Sequence, residues 1–471
     1  MTIKLSATRL DLGTARLDNA AVKSSSQSVN ALGSVSGSVT INLALGSVVT
    51  ATIAGATTFS VTNIPSSTKY CSFTLILTNG GRYAVTWPAG TIWQNGSAPT
   101  LTAVGGTDVL TFFTTDNGAI WRGSFAMPNV AGGSQLFVWG LNNDGNLGLG
   151  DTANRSSPVQ LAGTWGSVSS GDGMKLALRT DGSLFAWGES SFGTPGHGDV
   201  IRRSSPVQVP GTWTTLVVGN THSSALKSDG SLWLWGSNQY GQLGFGDTYR
   251  RSSPVQLAGT WVSMGLGQHH TFALKSDGAL FVWGRDFSGQ LGLGDSVNRS
   301  SPVQLSGTWS AVSLGPSVSS ALKSNGSLFM WGQNGGGGLG LGDTVLRSSP
   351  VQLAGTWVSV SLGTSSHGAL KTGGQLFVWG ANDNGRLGLG DTIGRSSPVQ
   401  LAGTWGSVSQ GGGNGHGAGV KTEATLWTWG HGNNGQLGLG NTAHRSSPVQ
   451  IAGAWGAVSV GKNDHSAALR S

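Results

Sequence analysis

The sequence predicts an all-β protein in which an N-terminal arm and a β-sandwich precede a seven-bladed β-propeller. Three observations lead to this prediction. Glycine accounts for 79 of the 471 residues, short runs of β-forming residues recur along the chain, and a repeat of fixed length fills residues 135–471. Because glycine loses more conformational freedom than any other residue in a helix, a mainly helical fold is disfavoured.

The N-terminal region divides into two parts by composition. Residues 1–35 are small and polar and contain the near-duplicates TRLDLG and ARLDNA, which indicates an extended arm that either orders on a partner or stays mobile. Over residues 36–127, alternating runs such as SVTINLAL, SVVTATIAG and YCSFTLILTNGG end in Asn-Gly and Gly-Gly turns. Such alternation predicts half-buried strands. We therefore expect a β-sandwich over 36–127 and a linker at 128–134.

The stretch that runs from TLILTNGG through TWPAG, APTL and DVLTF to IWRGSFA resembles a module of tail-fibre and other virion structural proteins of tailed bacteriophages, over about residues 39–126. The resemblance implies a virion component, usually a homotrimer, with an N-terminal attachment segment and a distal recognition domain. Such proteins assemble in the host cytoplasm. The first thirty residues hold no apolar run of export-signal length, and Cys71 is the single cysteine, which agrees with that origin.

A repeat governs the remainder of the chain. A Trp-Gly pair that ends an LFVWG-type run recurs seven times, at five intervals of 48 residues and one of 50, and Ser-Ser-Pro-Val-Gln recurs in the same phase. Each unit contains four β-forming runs separated by turns: an LFVWG type, S-S-P-V-Q-L, V-S-V-S-L and A-L-K, the last joined to the next unit by Asp-Gly or Asn-Gly. Seven four-stranded units predict a β-propeller.

The two ends of the repeat region complement each other. The first unit opens with the Leu136 strand and lacks the A-L-K strand before it, whereas the last unit stops after the Leu469 strand and lacks the LFVWG strand that follows elsewhere. We expect these two strands to pair and close the ring, since their pairing removes two open strand edges.

The units have the form W-G-x-N-x-x-G-Q-L-G-L-G-D-T-x-x-R-S-S-P-V-Q-L, followed by H-S-x-A-L-K-S-D-G. This pattern resembles the regulator of chromosome condensation repeat family over residues 135–471. The resemblance implies a seven-bladed propeller with strand exchange between the termini of the ring. It implies no single activity, because the fold serves nucleotide-exchange factors, enzyme inhibitors and interaction scaffolds.

Composition and spacing disfavour several functions. The formal net charge of +7 is dispersed, whereas a nucleic-acid binder gathers its basic residues on one face. Only Glu189 and Glu423 are glutamates, so hydrolysis by a carboxylate pair is disfavoured. No G-x-S-x-G elbow is present, and no apolar run approaches the length of a membrane-spanning helix. We expect no enzyme activity, no cofactor, no metal and no membrane insertion.

A recurrent aspartate is followed four residues later by arginine. As a ring of guanidinium groups, these arginines could hold phosphates or acidic sugars. As loop-fixing ion pairs or Asp turns they would be architectural, which is the favoured interpretation because every blade needs the contact. The pairs assigned as structural are Asp151–Arg155, Asp247–Arg251, Asp295–Arg299, Asp343–Arg347 and Asp391–Arg395.

Comparison of the seven units with one another shows constant strands and three sets of variable loops. These loops follow Trp-Gly, lie between the recurrent Asp and Arg, or follow the V-x-x-G strand. Variable loops on a rigid scaffold suit recognition, with neutral drift of solvated loops as the alternative. The candidate receptor-binding residues are Phe192, His222, Tyr240, Tyr249, His269, His270, Phe287, Asn382, Asp383 and Asn433.

These observations predict a bacteriophage tail fibre or related virion fibre. Its arm would contact other virion proteins, and its propeller would bind a host-surface glycan or protein without chemistry, with avidity from linked copies such as a homotrimer. The alternative is a structural head or tail decoration protein. A second alternative is a propeller that inhibits an enzyme or acts as a protein-binding scaffold. The predicted location is the virion, and no nucleic-acid partner is expected.

Overall fold

The computed structural model describes residues 10–12, 15–17, 29–45, 48–64, 71–78, 83–93, 101, 107–114, 120–127, 134–413 and 415–470. These residues are strands and turns with three short 3-10 segments, Leu43–Leu45, Gly335–Gly337 and Asp383–Gly385. The predicted all-β class is confirmed. The chain divides into two units, Met1–Gly133 and Ser134–Ser471. Residues 128–133 of the predicted linker lie outside the described residues.

The described part of the N-terminal unit contains a small hairpin and one mixed sheet. β1 and β2 pair antiparallel, and the sheet has the order β3-β4-β5-β8-β9-β7, with β6 paired to β4. The strands are β1 (Leu10–Leu12), β2 (Ala15–Leu17), β3 (Val29–Asn42), β4 (Val48–Thr62), β5 (Cys71–Thr78), β6 (Val85–Thr86), β7 (Thr91–Trp93), β8 (Thr107–Thr114) and β9 (Trp121–Met127).

Strands β3 and β4 are consecutive and parallel, with Val29 opposite Val48 and Asn42 opposite Thr62. A straight strand rises about 3.3 Å per residue, so the residues between β3 and β4 could not return the chain to the start of a straight β3. β3 must therefore bend back on itself. Register shifts next to Gly33, which has a φ of 69°, indicate one place where it bends.

The strands that follow β4 continue this parallel pairing. β5 pairs with the first part of β4 and β6 with its later part, both in parallel. The prediction of a β-sandwich over 36–127 is not confirmed, because these strands form one mixed sheet. The predicted arm over residues 1–35 overlaps β3, which begins at Val29. Alternation of apolar and polar residues places side chains on two faces of a strand, but it does not reveal the direction of the neighbouring strand.

The C-terminal unit consists of antiparallel blades of four strands each, numbered here in chain order. In every blade the strands occur in the order inner, second, third and outer. The long β11 (Arg155–Ser170) supplies the outer strand of blade 7 with its first half and the inner strand of blade 1 with its second half.

The strands of the seven blades are as follows. Blade 1 continues with β12 (Met174–Arg179), β13 (Ser183–Gly188) and β14 (Arg203–Thr212); blade 2 is β15 (Thr215–Val218), β16 (His222–Leu226), β17 (Leu232–Gly236) and β18 (Arg251–Leu257); blade 3 is β19 (Ser263–Leu266), β20 (His270–Leu274), β21 (Leu280–Gly284) and β22 (Arg299–Leu305). Blade 4 is β23 (Ala311–Leu314), β24 (Val318–Leu322), β25 (Leu328–Gly332) and β26 (Arg347–Leu353); blade 5 is β27 (Ser359–Leu362), β28 (Ser366–Lys371), β29 (Gln375–Gly380) and β30 (Arg395–Leu401); blade 6 is β31 (Trp405–Gln410), β32 (His416–Lys421), β33 (Leu426–Gly430) and β34 (Arg445–Ile451). Blade 7 is β35 (Ala457–Val460), β36 (His465–Arg470), β10 (Ser134–Gly140) and the start of β11.

Blade 7 combines strands from the two ends of the unit. β10 pairs antiparallel with β36, and Leu136 lies opposite Leu469. The predicted pairing of these two segments is therefore present. Both leucines are buried in one apolar cluster with Trp165 and Trp187, so the pairing also contributes to the junction between blades 7 and 1.

The Trp-Gly tryptophans connect the blades. Each indole is fully buried, and its Nε1 donates a hydrogen bond of 2.7–3.1 Å to a backbone carbonyl in a loop of the preceding blade. The bonds are Trp187 to Asn146, Trp235 to Thr194, Trp283 to Gln242, Trp331 to Gln290, Trp379 to Gly338, Trp429 to Arg386 and Trp139 to Gln436.

A glycine two residues after each accepting carbonyl makes this contact possible. Gly244 has a φ of 80°, and a Cβ there would lie 2.8 Å from Nε1 of Trp283. The spacing is shorter than real Cβ contacts allow, so the loop can approach the indole only because this residue has no side chain.

We expect Gly244→Ala to destabilise the propeller more than Gly246→Ala. Both glycines have nearly the same φ, 80° and 81°, but a Cβ at Gly246 would meet nothing closer than the Ser301 Oγ at 3.5 Å. Both variants therefore share the cost of a positive φ, and Gly244→Ala adds about 1–3 kcal/mol of overpacking. Urea unfolding of the two variants measures this difference, and equal losses would contradict the assigned role of the indole contact.

Candidate functional site

The three variable loops of a blade lie at the same end of its strands. In blade 3, His270 at the start of the second strand pairs with Gly284 at the end of the third, and Gly284 pairs with Arg299 at the start of the outer strand. The loops that adjoin these three residues are therefore neighbours. Equivalent registers recur in the other blades. We call the surface that these loops form the loop face.

Three of the predicted receptor-binding residues meet on the loop face of blades 2 and 3. The ring of Tyr240 lies 5.1 Å from that of His269 and 5.7 Å from that of Phe287. The guanidinium of Arg285 lies 5.4 Å from the Tyr240 ring centroid and 4.8 Å from that of Phe287. We call Tyr240, His269, Arg285 and Phe287 the aromatic cluster. Arg285 was missed in the sequence, although it precedes Phe287 by two residues in the same variable loop.

The aromatic cluster offers an accessible ring on a fixed base. Phe287 is 57% exposed, whereas His269 is only 9% exposed and contacts the Thr221 Oγ1 through Nδ1 at 3.2 Å. Burial lowers the pKa of His269 to about 4, so its imidazole is neutral at pH 7. The cluster therefore combines an exposed apolar ring with a cation that stacking partly covers.

Other predicted residues are exposed but separate. Tyr249 is 74% exposed and Phe192 is 41% exposed, and Asn433 is also exposed. The Asp383 carboxylate lies 3.4 Å from the Arg386 guanidinium. Within the described residues no ring contact joins Phe192 or Tyr249 to the aromatic cluster, so the structure does not assemble all predicted residues into one site.

The predictions for His222, His270 and Asn382 require correction, because these side chains are buried and cannot contact a receptor. Nε2 of His222 contacts the Thr271 Oγ1 of the next blade at 2.8 Å. His270 makes the equivalent contact with Ser319. Asn382 donates to the backbone and side chain of its own loop and accepts from a backbone amide there. The sequence pattern placed both histidines in loops, but each begins a strand that faces the neighbouring blade.

The recurrent Asp–Arg pairs are formed and fix their loops from within. Arg251 donates to the Asp247 carboxylate at 2.7 Å and to the Tyr249 carbonyl at 2.6 Å, while the Tyr249 amide donates to Asp247 at 2.9 Å. The arginine is thus engaged by its own loop, in agreement with the architectural interpretation. The same ion pair occurs in Asp151–Arg155, Asp199–Arg203, Asp295–Arg299, Asp343–Arg347 and Asp391–Arg395.

The residue that this arrangement holds at the centre of the loop projects into solvent. In blades 1 to 5 it is Ile201, Tyr249, Val297, Val345 and Ile393, each 58–74% exposed. Of these, only Tyr249 was identified in the sequence analysis. The signal was available, because a large apolar residue recurs two positions after the aspartate in five consecutive units.

A ring of cations occupies the opposite end of the strands. One basic side chain in each blade lies 4.0–5.9 Å from the centroids of two aromatic rings. These residues are Arg179, Lys227, Lys275, Lys323, Lys371, Lys421 and Arg470. These seven basic residues are therefore held in cation–π contacts, and they account for part of the positive charge that the sequence distributes at a fixed period.

Two findings concern the described residues as a whole. No group of three or more His, Cys, Asp or Glu side chains among them could hold a metal ion. None of the helices in the described part of the chain is long and apolar enough to cross a membrane.

Seven stretches of the chain match the family model of the Regulator of chromosome condensation (RCC1) repeat: 134–178, 181–226, 229–274, 277–322, 325–370, 373–418 and 423–469. A second model with the same description matches residues 213–242 and 261–290. No curated protein matches the sequence.

Solved structures share the fold of the C-terminal unit. Prp20p from Saccharomyces cerevisiae, described with its binding to Gsp1p and histones, is similar with a TM-score of 0.66 and 21% identity, over 72% of this chain and 92% of its own. Human WBSCR16 is similar with a TM-score of 0.63 and 23% identity, over 72% of this chain and 99% of its own. Yeast RCC1 (Prp20) bound to Kap60 is similar with a TM-score of 0.64 and 22% identity, over 72% of this chain and 89% of its own. At these identities the likeness shows the β-propeller fold.

Asp286, between Arg285 and Phe287, departs from the repeat. The equivalent residue is asparagine in four other blades, where its amide donates to the recurrent aspartate, as Asn238 does to Asp247 at 3.0 Å. Asp286 accepts from the Leu291 amide at 2.8 Å, but its Oδ2 has no donor in the described part of the chain. Burial, together with the nearby Asp295 carboxylate, raises the pKa of Asp286 to about 7.

We expect Asp286→Asn to stabilise the propeller in a pH-dependent way. The folded pKa of about 7 exceeds the ordinary 3.8, so the contribution of Asp286 to stability is present at low pH and is lost as the pH rises through 7. Asparagine removes the uncompensated charge and restores the donor, which gives about 1–3 kcal/mol at about pH 8 and little near pH 4.

Unfolding measured at both pH values tests this expectation. The matched variant Asn238→Asp introduces the same carboxyl into blade 2, and it should lose stability as the pH rises. A pH-independent gain for Asp286→Asn would contradict the assigned protonation.

Proposed function

This chain belongs to the Regulator of chromosome condensation (RCC1) repeat family, and on that scaffold we propose that the propeller is a recognition domain without enzymatic activity that binds a host-surface glycan through its loop face. The observation that carries this proposal is the aromatic cluster, in which four variable-loop residues, Arg285 among them, converge. Aromatic faces suit the apolar faces of sugar rings, and the polar edges of Tyr240 and Arg285 can donate hydrogen bonds.

We further propose that the chain is a bacteriophage virion fibre. The support is the resemblance of residues 39–126 to tail-fibre and related virion modules. In such a fibre the N-terminal arm contacts other virion proteins, and a homotrimer presents three propellers. Weak single sites then combine into strong attachment, because linked copies raise the effective concentration of the second and third sites.

We infer that the seven blades form a closed ring. The support is that every blade-to-blade indole bond has an equivalent, including Trp139 to Gln436 between blades 6 and 7 and Trp187 to Asn146 between blades 7 and 1. The inner strands of blades 7 and 1 are also joined, because the Ser170 amide donates to the Ser459 Oγ at 3.0 Å.

Removal of residues 465–471 should abolish the cooperative unfolding of the propeller, because β10 and β35 would each lose their paired strand and the ring would open. Removal of Ser471 alone is the control and should have no effect. Calorimetry distinguishes the two, and a truncated chain with an unchanged transition would contradict closure.

A second candidate function is a protein-binding scaffold. Its support is the row of exposed apolar residues held by the Asp–Arg loops, exemplified by Tyr249 and Ile393, and the protein partners named for Prp20p and yeast RCC1. A structural head or tail decoration protein is the third candidate. On a decoration protein the loop face would have no host ligand.

Phe287→Ala combined with Tyr240→Ala should weaken binding to bacterial host cells by at least about tenfold, or about 1.4 kcal/mol, because it removes the stacking surface. Val345→Ala is the matched control, since it removes an exposed apolar side chain from another blade and should leave binding unchanged. Binding of the labelled full-length chain to a panel of bacterial strains measures the effect.

The same measurement separates the candidate functions. Equal binding by the double variant and the wild type would contradict the glycan site. Loss of binding with Val345→Ala alone would favour the protein scaffold, and absence of binding to every strain would favour decoration. Electron microscopy of particles with the chain labelled tests its location in the virion.

A further inference from the structure

A belt of hydrogen bonds joins the second strands of blades 2, 3 and 4 and of blades 6 and 7. Among the described residues no such bond forms between blades 4 and 5, between blades 5 and 6 or between blades 7 and 1. In the belt, the first residue of one second strand contacts the second residue of the next, as in His222 to Thr271, His270 to Ser319 and His416 to Ser466. In blade 4 the first residue is Val318, and in blade 5 the second residue is His367. An isopropyl group cannot bond an imidazole, so the belt has no equivalent bond at this junction.

His367 also stands where other blades carry a hydroxyl that binds the preceding blade. Ser223, Thr271 and Ser319 donate to the carbonyls of Thr194, Gln242 and Gln290 at 2.7–2.8 Å. His367 makes no such bond. Its side chain is fully buried, and neither ring nitrogen has a hydrogen-bond partner among the described residues. Leaving a buried polar group unpaired costs about 1–3 kcal/mol. His465 shares this state, so the expectation of a partner for His367 rests on the cavity beside it.

A cavity of about 260 Å³ adjoins the unpaired imidazole on the loop face. Its polar lining comes from Gln268, Ser317, Gln333, Thr364, Ser365 and His367. Gln268 is the residue before His269 of the aromatic cluster, so the cavity and the cluster are neighbours on one surface.

The lining selects for a small uncharged ligand. It contains hydroxyls, amides and an imidazole, and none of the lining residues is Asp, Glu, Lys or Arg. Burial lowers the pKa of His367 to about 3, so the ring is neutral at pH 7 and has one donor and one acceptor. A charged ligand would lie there without a counter-charge, which is costly. The volume is below the roughly 300–1,000 Å³ of drug-sized pockets, which limits the occupant to about one sugar unit.

We propose that this cavity binds one uncharged monosaccharide unit, with the imidazole of His367 hydrogen-bonded to a sugar hydroxyl at its base. The inference rests on the proposed glycan recognition and deepens it, because the unit in the cavity would be adjacent to the unit that stacks on the aromatic cluster. A hydroxyl-rich ligand supplies what the cavity lacks, since each sugar hydroxyl both donates and accepts.

The experiment uses the full-length chain and four free sugars as probes: D-glucose, D-galactose, N-acetyl-D-glucosamine and L-rhamnose. Nitrogen-15 NMR of the histidine side chains reports His367, and calorimetry gives the affinity. The key variant is His367→Ser, which installs the residue of blades 2, 4 and 7 and can donate to the Gly338 carbonyl. Gln333→Leu is a second variant at an exposed lining position, and its fold should not be affected.

The proposal expects at least one sugar to shift the His367 ring signals. His367→Ser should weaken the binding of that sugar by at least about tenfold with an unchanged or higher Tm. Gln333→Leu should also weaken the binding of that sugar, with an unchanged Tm. The proposal is overturned if no sugar shifts the His367 signals, so that water alone is its partner, or if a sugar binds both variants as tightly as the wild type.

The cell-binding assay keeps this result separate from the proposed function. If His367→Ser binds cells and free sugars like the wild type while the Phe287→Ala and Tyr240→Ala double variant does not bind cells, the cavity is not a subsite but the loop face still recognises the host. If the sugars bind in the cavity while His367→Ser and the Phe287→Ala and Tyr240→Ala double variant both bind cells like the wild type, the monosaccharide site stands and the proposed function fails.

Discussion

The hydrogen bond from a buried indole to a loop carbonyl of the preceding blade is the interaction on which the propeller depends. A four-stranded blade has two open edges and two apolar faces, and by itself it cannot bury enough surface to offset the entropy of ordering its chain. The Trp-Gly tryptophan covers the face of its blade, and its donor also fixes the position of the neighbouring loop. The glycine of that loop permits the contact because it presents no Cβ. One tryptophan in each blade thus both packs against the preceding blade and fixes the position of that blade's loop.

Because the junctions lie between strands and at the base of the loops, the loop tips are free to differ. The Asp–Arg pair gives each outer loop its own internal support, so the residue at its centre can be isoleucine, tyrosine or valine without loss of the loop's shape. On the opposite end of the strands the stacked cations are nearly constant from blade to blade. The propeller therefore has one uniform end and one variable end, and for that reason we place the proposed recognition at the variable end.

Several departures from the repeat lie in blades 2 to 5. Asp286 replaces an asparagine, His367 replaces a hydroxyl residue, and Tyr240 and Phe287 bring rings together across two blades. The first two leave a buried polar group without its usual partner, which weakens the scaffold locally. A repeat protein in which most units keep the stabilising residue can accommodate such costs at a few positions, since the remaining junctions maintain the fold. The exceptions at Asp286 and His367 lie next to exposed aromatics and a polar cavity, which supports the proposed binding surface on the loop face.

The sequence by itself determined the all-β class, the seven units and the pairing of the Leu136 and Leu469 strands, because these follow from a fixed period and from ends that complement each other. It also identified Tyr240, His269 and Phe287, since copies of one unit reveal which positions vary. It did not reveal that His222, His270 and Asn382 are buried. The β-sandwich that it predicted is not confirmed, since the described residues of that region form one mixed sheet. Only the tertiary structure decided these points. Burial at the junction between two blades and the direction of a neighbouring strand depend on residues far apart in the chain, whereas periodicity reports only what a segment does along its own length.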